Sequence, residues 1–165
     1  MTELTTQLTA SVIRPADCDR SGFGAVTNLF FLDGEATGGR VSLIEHRLAP
    51  RSLAAPLHLH ENEDEFTFVL TGQVAAISSG REILASAGEL IVKPRGEWHT
   101  FWNPGDEPAT MLEVVSPAGL EQLFRTFSPD APPEPEALMA MAREYGCQVD
   151  FAATMELAES KRLSM

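Results

Sequence analysis

The stretch His58-Leu-His60-Glu-Asn-Glu-Asp-Glu65, taken with Pro94-Arg-Gly96-Glu-Trp-His99, decides the fold of this chain. Side chains alternate between faces along a strand, so His58 and His60 present both imidazoles to one side. Glu65 opens the next β-rich run, residues 65–70, which closes at Gly72. His99 stands on another run, residues 98–102, delivered by a Pro-x-Gly turn. Three imidazoles and one carboxylate converging inside a barrel form a site for one divalent transition metal, with positions left open for exchangeable ligands. A His-x-His pair alone is common by chance, and Glu61, Glu63 and Asp64 compete with Glu65 for its role.

Outward from this stretch, short apolar runs broken by turn signals extend in both directions. Residues 26–32 and 41–48 flank a Gly-rich turn, and 57–60 precede the Glu65 run. Residues 74–78 and 82–85 bracket Ser79-Gly80-Arg81, 90–93 follow Gly88, and 109–115 follow Asn103-Pro-Gly-Asp-Glu107. Strands of this length and spacing predict an all-β sandwich or barrel. The first 25 residues are mixed and show no strand signal. After Ser116 the period changes: Leu120, Leu123, Phe124 and Phe127 recur at helical spacing. A Pro-rich linker, residues 128–135, separates that helix from a second over 134–145, which Gly146 ends. Residues 1–116 are therefore expected to form the barrel, and 117–165 a helical extension packing on it.

The spacing is also ordered. His58-x-His60 is followed after four residues by Glu65 and after six more by Gly72. Gly88 is followed after five residues by Pro94-x-Gly96, then after two by His99 and after three by Asn103. This pattern resembles the cupin family, over residues 52–103, and departs from it only where Ser52 replaces an opening glycine. The resemblance implies an antiparallel jelly-roll β-barrel with C-terminal helices and a metal in its mouth. It implies His58, His60, Glu65 and His99 as ligands, with the glycines, Pro94 and Asn103 shaping turns.

Three neutral imidazoles and one carboxylate leave a divalent ion with a charge of about +1. Such a centre suits an anionic chelating oxygen donor, and iron, manganese, nickel, cobalt, copper and zinc all fit it. Strand phase sends Thr67 and Val69 inward with Glu65, and Phe101 inward with His99, as a substrate pocket. Those walls, without an Arg or Lys cluster, favour a small organic substrate with an apolar body over a sugar phosphate. The resemblance points to a dioxygenase acting on an enolic, phenolic or flavonol-like substrate, with Glu65 as a base if it swings off the metal. The alternatives are a non-oxidative isomerase or lyase, and a non-catalytic binder of small molecules. The same phase sends Phe66, Phe68, Leu70, Trp98 and Trp102 outward. An outer face so apolar predicts cover by the C-terminal helices and by a second subunit in a homodimer. His46 is expected at the surface or a dimer interface, or else as support behind the metal ligands.

The bulk properties set the partners. The chain has 165 residues, a formal charge of −12 and 44% hydrophobic residues, as a single globular domain does. Its charge opposes nucleic acid and anionic membrane as partners. No apolar run approaches the ~18 residues of a membrane helix, and no secretory signal stands at the N-terminus. Cys18 and Cys147 form no metal or redox motif, and two free thiols suit the cytoplasm.

Overall fold

The structure, a computed structural model, describes residues 8–128, 131 and 133–165. The strands are β1 (Asp19–Phe23), β2 (Val26–Leu32), β3 (Ser42–Leu48), β4 (Leu57–His60), β5 (Asp64–Thr71) and β6 (Gln73–Ser78). They continue with β7 (Arg81–Ser86), β8 (Leu90–Lys93), β9 (His99–Trp102), β10 (Ala109–Ser116) and β11 (Cys147–Asp150). Four helices accompany them: α1 (Gly34–Thr37), α2 (Glu121–Arg125), α3 (Pro135–Glu144) and α4 (Phe151–Lys161).

Two antiparallel sheets, ordered β1-β2-β3-β10-β5-β8 and β11-β4-β9-β6-β7, face each other as a jelly-roll barrel. Period-two alternation builds the interior: every second residue of β10 is buried. Val26, Val69 and Met111 from the first sheet meet Val74, Ala76 and Phe101 from the second. At one end a further cluster joins Phe30, Ile44 and Val115 to Leu120, Leu123 and Ala142, so α2 and α3 pack on the barrel.

Some elements were not visible in the sequence, among them α1, a single helical turn where only a Gly-rich turn was expected. Strand β1 is polar and is held by its antiparallel register on β2, from Asp19↔Phe30 to Phe23↔Val26. Strand β11 lies inside the segment expected to be helical, and extends the second sheet beside β4. Helix α4 follows at once, capped by the Asp150 carboxylate, which accepts from the Ala153 N–H. Its buried residues are the small Thr154 and Ala158, too small for a clear apolar stripe.

One outward residue is not exposed. Trp102 is 2% exposed, packed with Leu53 and Ala75 and covered by Leu157 of α4 and Leu163 beyond it. Phe68, Leu70 and Trp98 are exposed as expected, and Leu90 and Val92 on β8 extend that apolar surface. Gly72, at φ 73°, sits where a Cβ would meet Ala109 at 3.1 Å. Around Ser52 the left-handed residue is the preceding Arg51, at φ 51°, so the loop before β4 turns without a glycine. No helix among the described residues is long and apolar enough to cross a membrane.

Candidate metal centre

The four sequence-selected residues meet at one end of the barrel. His58 on β4 is the register partner of His99 on β9, and Glu65 arrives from β5 in the opposite sheet. His58, His60, Glu65 and His99 are all buried, and one donor atom from each lies within 4.8 Å of every other. The imidazole centroids are 4.3 to 5.3 Å apart.

Backbone carbonyls orient two of the rings. His58 Nδ1 lies 2.6 Å from the Pro56 carbonyl and His99 Nδ1 3.0 Å from that of Glu97. A carbonyl only accepts, so Nδ1 carries the proton on both rings and Nε2 is the coordinating atom. Neither ring nitrogen of His60 has an aligned hydrogen-bond partner among the described residues. Its Nε2 lies 3.3 Å from Glu65 Oε1. A buried imidazole without partners, two rings tethered through Nδ1 and one carboxylate fit a divalent transition ion.

A buried charge network stands behind the ligands, and sequence reasoning missed it. Lys93 has no exposed surface, and its Nζ lies 2.8 Å from Glu65 Oε2 and 3.1 Å from Glu113 Oε2. Thr67 Oγ1 donates to the same Glu113 oxygen at 2.8 Å, and Lys93 Nζ sits 3.9 Å over the Phe101 ring. Burial opposes the charged form of Glu65, but the Lys93 ammonium and His60 outweigh it and hold the carboxyl well below its usual range. Burial likewise opposes a charged Lys93, which Glu113 and Glu65 overcome, raising it. For Glu113 burial wins over Lys93, helped by the Glu65 charge, and the group is pushed up to about 7. Burial and the neighbouring His99 and His60 push His58 well down. Burial acts against His60 too, yet Glu65 raises it to about 10. Strand phase carried the missing signal: Lys93 shares the inward face with Ile91 and faces Glu65 in register, and Glu113 lies between inward Met111 and Val115.

A cavity of about 70 Å³ leads from the cluster. Phe101 lines it, whereas Thr67 and Val69 do not. Both point inward, but one layer deeper, where Thr67 serves Glu113 and Val69 belongs to the core. His46 also lines the cavity and is 6% exposed, so it is neither a surface nor an interface residue. It is in phase with buried Ile44 and Leu48, the sign of an inward position. Phe124 and Phe127, α3 and β11 close the cavity. No Arg or Lys lines it; Arg47, Arg51 and Arg95 pair outside with Glu45, Asp106 and Asp64.

The fold and this site define a jelly-roll protein with a candidate metal centre. Residues 44–115 match the cupin domain, which assigns that segment to the cupin family. An oxalate-binding protein of Thermotoga maritima is 28% identical over 96 residues, covering 58% of this chain and 79% of that protein. Germin-like protein 5-1 of Oryza sativa is 30% identical over 129 residues, covering 74% of this chain and 58% of that protein. A gentisate 1,2-dioxygenase of Haloferax is 30% identical over 109 residues, 62% of this chain but 30% of that protein. Among solved structures, a predicted oxalate decarboxylase from Thermotoga maritima superposes with a TM-score of 0.60 at 24% identity, covering 64% of this chain and 98% of that one. KdgF from Halomonas gives 0.59 at 17% identity, covering 69% and 99%. These two likenesses are of fold.

Proposed function

We propose that this protein is a metal-dependent dioxygenase acting on a small enolic or phenolic substrate that chelates the metal through anionic oxygens. The observation that carries the reading is a His3Glu cluster at the end of a small, largely apolar cavity. A relative named as a gentisate dioxygenase supports the oxygenase class. The cavity bounds the substrate. An enclosed apolar space of about 150 Å³ holds benzene, and this one offers about 70 Å³. A phenolic or flavonol-sized ligand therefore requires α2 and α3 to shift, whereas a short-chain acid does not.

A bound divalent ion supplies Lewis acidity and, where redox-active, one-electron chemistry with O2. The chain's own residues hold and orient. His58, His60, Glu65 and His99 provide the donors, and Lys93 holds the second oxygen of Glu65. That contact, and a carboxyl held well below its usual range, favour Glu65 as a ligand over Glu65 as a base. Phe101 and Phe124 exclude water from the cavity wall.

A second reading, a non-oxidative enzyme or binder of small carboxylates, is favoured by the cavity's size and by the oxalate-binding relative. Metal analysis of the wild type beside a His58→Ala/His99→Ala double variant tests the centre. One ion per wild-type chain and none in the variant is expected; equal metal in both overturns the assignment. Oxygen uptake by the loaded protein, with enolic and phenolic acids as probes, then separates oxygenase from non-oxidative chemistry. We place the protein in the cytoplasm on its two free thiols, Cys18 and Cys147.

A further inference from the structure

We infer that His46 is a specificity residue whose Nε2 accepts a hydrogen bond from a hydroxyl on a ligand held in the cavity. The inference rests on the four-ligand centre proposed above and names what the rest of the cavity reads. Its basis is a hydrogen-bond relay with one direction. Ser21 Oγ lies 2.7 Å from the Phe124 carbonyl, which only accepts, so the single hydroxyl proton of Ser21 points there. Ser21 Oγ must then accept from Asn28 Nδ2, at 3.0 Å. That turns Asn28 Oδ1 toward His46 Nδ1, 2.7 Å away, and Nδ1 must carry the proton. The remaining nitrogen, Nε2, presents a lone pair and has no partner among the described residues.

The relay is built into the frame. Asn28 and His46 are register partners on β2 and β3, and both are buried side chains on the cavity wall. The His46 ring is fixed between Phe101, at 6.2 Å, and Phe124, at 6.0 Å edge-on. Burial, assisted by the Lys93 charge, holds His46 down at about 4. The ring is therefore neutral near pH 7, able to accept a hydrogen bond but too weak a base to take a hydroxyl proton. Its role is reading and positioning.

The ligand class follows from what lines the cavity. The metal end takes a carboxylate with an adjacent oxo or enol oxygen, the apolar wall takes a short carbon chain, and His46 takes a hydroxyl. A 2-oxo acid with a terminal hydroxyl has these parts. A buried acceptor built for a hydroxyl discriminates against the analogue that leaves it unpaired.

Cobalt-loaded protein tests this, because the cobalt visible spectrum reports chelation without turnover. The probes are 2-oxo acids of three to five carbons, each with and without a terminal hydroxyl. At the chain length that spans the cavity, the hydroxylated acid is expected to bind about tenfold tighter. His46→Phe, which keeps a ring but has no acceptor, should still take up one cobalt and lose that preference. His46→Gln, whose amide donates to Asn28 and presents a carbonyl, should restore part of it, which a merely structural role does not predict. No hydroxyl preference at any length, or a preference that survives in His46→Phe, overturns the inference while leaving the metal centre standing. A protein that takes up no cobalt, or whose spectrum no probe moves, overturns the centre and the inference together.

Discussion

Lys93 has no exposed surface, and burying an ammonium is costly unless its partners are close and well placed. Two carboxylates meet it, and its Nζ lies over the Phe101 ring. Removing one member of such a group strands the others, so Lys93→Met should destabilise the metal-free protein by about 3–5 kcal/mol, read by denaturant unfolding. Adding Glu113→Gln should return part of that loss. His46 gives the pH dependence. Its folded value, about 4, lies below the ordinary 6.5, so the unfolded chain binds more protons between the two. Its contribution is complete above pH 6.5 and is lost as pH falls toward 4, a decline of about 3 kcal/mol for a fully buried group. The charges acting on it are Lys93 and Glu65. Unfolding free energies of wild type and His46→Phe between pH 4 and 7 should diverge by that amount, wild type showing the steeper acid loss.

The elements show where a sequence can be read and where it cannot. Strands with strict alternation and glycine or proline boundaries, such as β5 and β10, were legible almost to the residue. The ligand set was equally legible, because the spacing from His58 to Asn103 is itself local information. Strand β1 was not, since Asp19-Arg-Ser-Gly carries no strand propensity and exists through its pairing with β2. Strand β11 and α4 were hidden for a related reason: four residues on a sheet edge and a helix buried through small side chains leave a faint periodicity. Lys93, Glu113 and His46 were legible only to strand phase applied to polar residues, which composition alone assigns to the surface. The cover over Trp102 can be tested at this scale. Leu157→Ala should cost about 1 kcal/mol, the share of a part-buried leucine. It should also make Trp102 accessible to acrylamide quenching, while the already exposed Trp98 is unchanged.

For the molecule as a whole, the charge of −12 lies over a barrel whose centre is organised around cations: Lys93 now, and a metal ion when one is bound. The outer face of β5 and β8 is an apolar patch on a chain of strong negative charge. Phe68 pairs in register with Leu90 and Phe66 with Val92, and no described element covers Phe68, Leu90 and Val92, which are exposed. We propose that a second copy does, on the side opposite the one α4 protects. Light scattering after size exclusion should give a dimer for the wild type and a monomer for Phe68→Glu/Val92→Glu; a monomeric wild type overturns it.

The ladder between β11 and β4 sets Cys147 opposite His60 and Val149 opposite His58. During synthesis the two histidines emerge long before the strand that braces them, and the roof over the cavity comes later still than the rest of the barrel. The wall of the cavity is therefore complete only when the far end of the chain has folded back.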